Sequence, residues 1–430
     1  MSIEVNATHD PARRSWVASA NAADTDFPIQ NLPFGLFRTG AHVRGGVGLG
    51  DRIIDLKALL EMNVLAGAAT EAAQAASGPS LTPLLACAPS AVSALRSQLS
   101  DLFREGGSGD PARLEAVLVP MAEADLLLPL KPTAFTDFCT SIDHIKRMGN
   151  RAPPLAAMAL PVAYNGRASS VVADGTPIPR PSGQFASPMG SETVVFGPEP
   201  MLDFELEFGV WLWDGNALGA PVSMAAAEAA MFGCCLVNDW SARGIQFFES
   251  ILGPHLGKSF VTTISPWIVT MEALAPFRVA ARGRTEDEPA VPGYLLAPDD
   301  RSHGGFDIQL TAELTNSAGF GKQIVRTNLK ELFWTLAQMV AHQASNGAPL
   351  ERGDLIATGT VSGAAEEARA CLAEITMRGG VTIELPDGSK RDWLEDGDTL
   401  TLRGRAMADG YVPIGFGNCG GTIHAAKAVA

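Results

Sequence analysis

The chain has 430 residues, a length that predicts two or three domains at ~100–200 residues each, with an ample core. Hydrophobic residues make up 46% and charged residues 18%, which excludes a disordered or fibrous chain. Lys and Arg total 32 against 47 Asp and Glu, and a formal charge of −15 repels nucleic acid and anionic lipid while attracting divalent cations.

The opening stretch MSIEVNATHDPARRSWV lacks the apolar run of a secretory signal, and no segment reaches the ~18 uncharged apolar residues of a membrane span. The six cysteines (Cys87, Cys139, Cys234, Cys235, Cys371, Cys419) form no C-x-x-C pair and read as free thiols of a reducing compartment. A cytoplasmic enzyme or binding protein is the base expectation.

Residues 28–56 predict short strands joined by turns. Residues 57–119 are Ala/Leu-rich with helical spacing, broken by Gly and Pro at 78–83 and 106–111. LLLPLKP (126–132) is a stiff connector, which divides the chain into domains 1–125 and 126–430. Strand-like segments dominate the second domain, with one long helix predicted after Thr327 in NLKELFWTLAQMVAHQASNG. Regular βα alternation is missing, which argues against a Rossmann or barrel fold.

Two motifs mislead. GGVGLGD (45–51) resembles a dinucleotide loop, but the following RIIDL continues a hairpin where a helix should open. LGPHLGKSF resembles a phosphate loop, yet Gly253 leaves only Pro254, His255 and Leu256 before Gly257, one residue too few. Lys258 remains a candidate cation.

LDFELEFGVWLW (202–213) carries the chemistry. On a strand, Asp203, Glu205 and Glu207 share one face, with Leu202, Phe204, Leu206 and Phe208 on the other. Such a run is commonly a solvated face. Here no Lys or Arg is interleaved to relieve the repulsion, and Asp239 follows in VNDWSARGIQ. Clustered carboxylates without basic partners predict an oxygen-ligated hard cation, Mg²⁺ or Ca²⁺. FTDFCTSIDHIKR (135–147) adds Asp137 and His144, and an imidazole beside such an ion is a reasonable general base. The Gly/Thr-rich turn GDLIATGTVSG (353–363) offers backbone N–H groups and Thr360 to a substrate carboxylate.

Taken in order, these segments resemble the fumarylacetoacetase family nearly end to end. DFPIQNLPFGLF resembles the start of its N-terminal domain; LPVAYNGRASSVV, GTPIPRP, LDFELEFGV, NDWSARGIQ, LGPHLGKSF and LEDGDTL resemble its catalytic domain. The resemblance implies a mainly β, α+β fold: a small SH3-like β-barrel, then a larger mixed β-roll, assembled as a homodimer. It places metal ligands on Asp137, Glu205, Glu207 and Asp239, with Lys258 and Thr262 beside them. The base falls on His144, its orienting carboxylate on Glu374, and substrate contacts on Gln246, Thr360 and Tyr164.

The chain departs from the family pattern at Cys139 and around Ser250, where the family has substrate-contacting tyrosines, and Arg151 stands for the substrate arginine. The implied reaction is hydrolysis of a C–C bond in a diketo acid, fumarylacetoacetate first among them. Lys258 and Gln246 would stabilise the oxyanion. A relative acting on another diketone or 2-oxo acid, or a binding protein on the same fold, are the rival readings.

Overall fold

The computed structural model describes residues 4–428. The first hairpin is built from β1 (Phe34–Thr39), β2 (His42–Leu49) and β3 (Arg52–Asp55), so RIIDL is the strand its alternation implies. Helices α1 (Leu56–Glu61), α2 (Ala68–Ala76) and α3 (Pro89–Phe103) follow. Asp55 caps α1 by accepting the amides of Lys57 and Ala58.

The second part contributes β4 (Phe135–Cys139), α4 (Ile142–Gly149), β5 (Leu206–Leu212), β6 (Met231–Asp239), α5 (Arg243–Glu249) and β7 (Trp267–Thr270). After these come β8 (Ile308–Thr315), β9 (Gly321–Asn328), α6 (Leu336–Gln343), β10 (Leu355–Ala357), α7 (Leu372–Ile375), β11 (Thr399–Ala406) and β12 (Cys419–His424).

These strands give a mixed α/β architecture dominated by two sheets. The larger has thirteen strands, with the path β3-β2-β1-β7-β6-β5-β10-β4 at its centre. The smaller holds β9-β8-β11-β12. The N-terminal strands do not form the separate closed barrel expected of them. Phe34 and Gly35 of β1 pair with Ile268 and Trp267 of β7, so the first hairpin extends the sheet that carries the catalytic-domain strands. The helical core, including Leu59, Ala72, Leu95 and Leu99, is continuous with Trp211, Val237 and Ile268 from those strands.

The long helix predicted after Thr327 is also corrected. Helix α6 begins only at Leu336, behind a capping box in which Thr335 and Gln338 satisfy each other's backbone amides. Upstream, the Phe333 amide donates to the carbonyl of Thr140 and cannot join a helical ladder. Among the described residues, no helix is long and apolar enough to cross a membrane.

Candidate active site

Side chains alternate across a sheet, so Asp137 on β4, Glu207 on β5 and Asp239 on β6 share the face that holds Phe135, Trp211 and Val237. Backbone pairing brings the three strands into adjacency through Ala357 of β10, which faces Asp137 on one side and Gly209 on the other. Oxygens of the three carboxylates lie within 4.8 Å of one another, and all three side chains are buried. Burial, then mutual repulsion, pushes the carboxyls of Asp137 and Glu207 well above the usual range. Asp137 Oδ1 and both oxygens of Glu207 have no hydrogen-bond partner. Orphaned buried carboxylates are costly, and an all-oxygen set of them fits a hard divalent cation.

Asp239 is better supplied. Its Oδ2 accepts from Tyr164 at 2.6 Å and from Lys258 at 2.8 Å, while Oδ1 accepts from Thr262 at 2.9 Å. Glu205 stands apart from the tight group. Lys258 Nζ donates to its Oε2 at 2.6 Å, and Arg243 Nη2 lies 2.7 Å from its Oε1. Burial opposes ionisation of Glu205, but Lys258 and Arg243 overcome it and hold the carboxyl well below the usual range. The expectation that no basic side chain relieves residues 203–207 therefore holds along the strand and fails in space. Nor is this run a solvated face, because every residue from Leu202 to Leu212 is buried.

His144 sits in the first turn of α4, whose start is fixed by Ser141 accepting the His144 amide. Its Nδ1 lies 2.6 Å from Glu374 Oε1. Glu374 also accepts from Ser362 at 2.6 Å and from Arg147 at 2.9 Å. Although it is buried, His144, Ser362 and Arg147 lower its carboxyl to about 2. An ionised Glu374 can only accept, so Nδ1 carries the proton and Nε2 keeps the basic lone pair. Nε2 lies 3.4 Å from Thr360 Oγ1 and 3.9 Å from Glu205 Oε1.

A cavity of about 450 Å³ opens over this group, lined by Cys139, His144, Arg151, Tyr164, Gln246 and Thr360 among others. Gly359 lets the wall approach closely, since a Cβ there would stand 2.0 Å from the Phe138 carbonyl and its φ is +75°. Gln246 accepts from Arg243 at 3.0 Å. Ser250 is exposed, its hydroxyl donates to the Phe247 carbonyl, and it does not line this cavity. Arg147 is committed to Glu374 and the carbonyls of Gly363 and Ala364 and does not line the cavity. Of the two arginines that do, Arg243 is paired with Asp203 and Glu205, and the Arg151 guanidinium has no hydrogen-bond partner among the described residues. Arg243, Ser362 and Asp203 were not singled out from sequence as working groups. The signal for Arg243 was a lone cation inside the otherwise small and apolar stretch WSARGI, which later proves 1% exposed.

Two family sequence models match in tandem: the fumarylacetoacetase N-terminal domain at residues 30–129 and the fumarylacetoacetate hydrolase C-terminal domain at residues 133–424. The chain belongs to the fumarylacetoacetase family. The fumarylacetoacetase of Arabidopsis thaliana is 38% identical over 93% of this chain and 96% of its own. Those of Bos taurus and Homo sapiens are 39% and 37% identical, each over 94% of this chain and 97% of their own. In three dimensions the fold is similar to a fumarylacetoacetate hydrolase from psychrophilic Exiguobacterium antarcticum, with a TM-score of 0.50, 16% identity, and coverage of 92% and 99%. A putative HpcE protein from Mycobacterium smegmatis gives a TM-score of 0.51 at 17% identity, with coverage of 91% and 99%.

Proposed function

We propose that the protein hydrolyses 4-fumarylacetoacetate to fumarate and acetoacetate, using Mg²⁺ or Ca²⁺. The observation that carries this reading is the Glu374–His144 pair opening onto the cavity beside three converging carboxylates, two of them with unpartnered oxygens. Similarity to fumarylacetoacetases at 37–39% identity over 93–94% of the chain favours that substrate over another diketone.

Asp137, Glu207 and Asp239 would hold the cation, with Glu205 alongside and Lys258, Tyr164 and Thr262 orienting Asp239. When bound, the ion would supply Lewis-acid polarisation of the diketone oxygens. The chain's own groups do the rest. His144 Nε2 takes a proton from water as its oxygen attacks the carbonyl carbon, and Glu374 stabilises the resulting imidazolium. Lys258, Arg243 and Gln246 meet the oxyanion that develops on that carbonyl. The C–C bond then breaks, its electron pair leaves as the enolate of acetoacetate, and the proton held by His144 is available to return to carbon. Arg151, Thr360 and Tyr164 are the groups assigned to hold the substrate.

The division at residue 125 is supported by the two family matches, which end and restart at 129 and 133. A homodimer is supported by apolar side chains left largely exposed, Ile251 at 93% and Leu252 at 100%. Six free thiols support a cytoplasmic setting. Ultraviolet absorbance of fumarylacetoacetate, followed with and without chelator, tests the central claim. No turnover by metal-loaded protein, or full turnover after exhaustive chelation, sinks it.

A further inference from the structure

Asp203 lies fully buried between two elements that the proposed chemistry uses. Its Oδ2 accepts from Arg243 Nε at 2.8 Å, and Arg243 Nη2 sits 2.8 Å from the same oxygen as an ion pair, out of line for a second hydrogen bond. On the opposite side, Oδ1 accepts the Leu372 amide at 2.7 Å and Oδ2 accepts the Ala373 amide at 3.1 Å. Those are the first two amides of α7, which have no partner inside a helix. The residue preceding them, Cys371, makes no side-chain cap. Asp203 therefore caps α7 from 169 positions away in the chain.

The third residue of α7 is Glu374, which orients His144. Arg243 opens α5, the helix that presents Gln246 to the cavity. Glu199 reinforces that second anchor by accepting the Gly244 and Ile245 amides at 3.0 and 2.9 Å.

We propose that Asp203 is the positioning residue that sets the His144–Glu374 base and the Arg243–Gln246 oxyanion side at a fixed separation, a role that rests on the hydrolase reading above. A carboxylate is needed for it. Besides Arg243 and the two α7 amides, the Phe204 amide donates to Oδ1 at 2.8 Å, so donors converge from every side. An asparagine would turn an NH₂ group against at least one of them.

The test is Asp203→Asn, with kcat and KM on fumarylacetoacetate and the proton NMR signal of His144 Nδ1–H in metal-free protein. That signal is identified by its disappearance in His144→Ala. Losses of ~10- to 100-fold in kcat are expected, with KM changed less than about twofold, as when an outer partner of a working group is removed. The His144 proton should shift or broaden, and Asp203→Asn combined with Glu374→Gln should lose less than the product of the two single losses. An unmoved proton signal or multiplicative losses overturns the assignment. If Asp203→Asn does not fold, amide exchange in the unaltered protein decides: Leu372 and Ala373 should exchange as slowly as β6, and rapid exchange overturns the role. If the unaltered enzyme leaves fumarylacetoacetate untouched, the substrate reading fails, while the proton and exchange measurements still judge Asp203.

Discussion

Glu374 grips the Nδ1 atom of His144 at 2.6 Å across 230 positions of chain. The contact fixes which ring nitrogen faces the cavity. His144→Ala should therefore lower kcat by about 10²–10⁴ with the fold retained. Glu374→Gln should cost less, because the amide can still accept from Nδ1–H while giving up the charge. Steady-state kinetics on both variants check the order; a larger loss from Glu374→Gln than from His144→Ala would reverse the roles.

The metal cluster makes a prediction about the protein without metal. Asp137 is a buried acid whose folded carboxyl is raised, so above its ordinary pKa its ionisation works against folding. Asp137→Asn should raise the melting temperature of chelator-treated protein at neutral pH and abolish the further rise on adding Mg²⁺ or Ca²⁺. Calorimetric scans with and without ion check both. A lower metal-free melting temperature would mean that the buried charge is satisfied by the protein alone.

Acid stability follows from Glu374, with the opposite sign. Its carboxyl falls from 4.5 to about 2 on folding, so the contribution is fully present above pH 4.5 and is lost as pH falls towards 2. The shift corresponds to about 3 kcal/mol. Glu374→Gln should flatten the stability profile between pH 4.5 and 2 in urea titrations. An unchanged slope there would contradict it.

Cys139 lines the cavity, at a position where the resemblance to the family implies a tyrosine. Burial, then the nearby Glu205 and Asp137, pushes its thiol far up, so it presents a small neutral group to substrate. Cys139→Tyr should improve kcat/KM on fumarylacetoacetate by about ten- to hundredfold if a lost phenol contact weakens the native enzyme. Reduced turnover of that substrate, with or without a gain on a simple acylpyruvate, would mean that the pocket is already shaped around the thiol.

Local pattern made the strands and the acids legible. Alternation in LDFELEFGVWLW pointed to one strand with three acids on one face, but the strand breaks at Phe204 and Glu205. β5 starts at Leu206 and carries Glu207, while Leu202 and Asp203 pair separately with Ala242 and Ser241. The partners of those acids were not legible. Arg243 meets Asp203 from 40 positions away and Lys258 meets Glu205 from 53, through the turn into α5 and the loop beyond it. The overlong helix has a similar cause. The capping signature Thr335–Gln338 was written in the sequence, but only the Phe333 contact to Thr140 shows that the chain before it is held as a turn. The missed barrel is a question of partner choice, because β1 has the pattern of a hairpin strand whether its outer edge meets its own domain or β7.

That choice of partner matters during synthesis. The edge of β1 at Phe34 and Gly35 leaves the ribosome more than two hundred residues before Trp267 and Ile268 exist to cover it. At about 5–20 residues per second, the edge waits on the order of ten seconds or more, and an uncovered strand edge invites pairing with another nascent chain. Chains stalled before residue 267 should accordingly bind holding chaperones or aggregate, and chains stalled far enough beyond residue 270 for that strand to have left the exit tunnel should resist both. Ribosome-bound fragments of the two lengths, compared by limited proteolysis, would show whether the first domain matures only when the strand that completes its sheet has emerged.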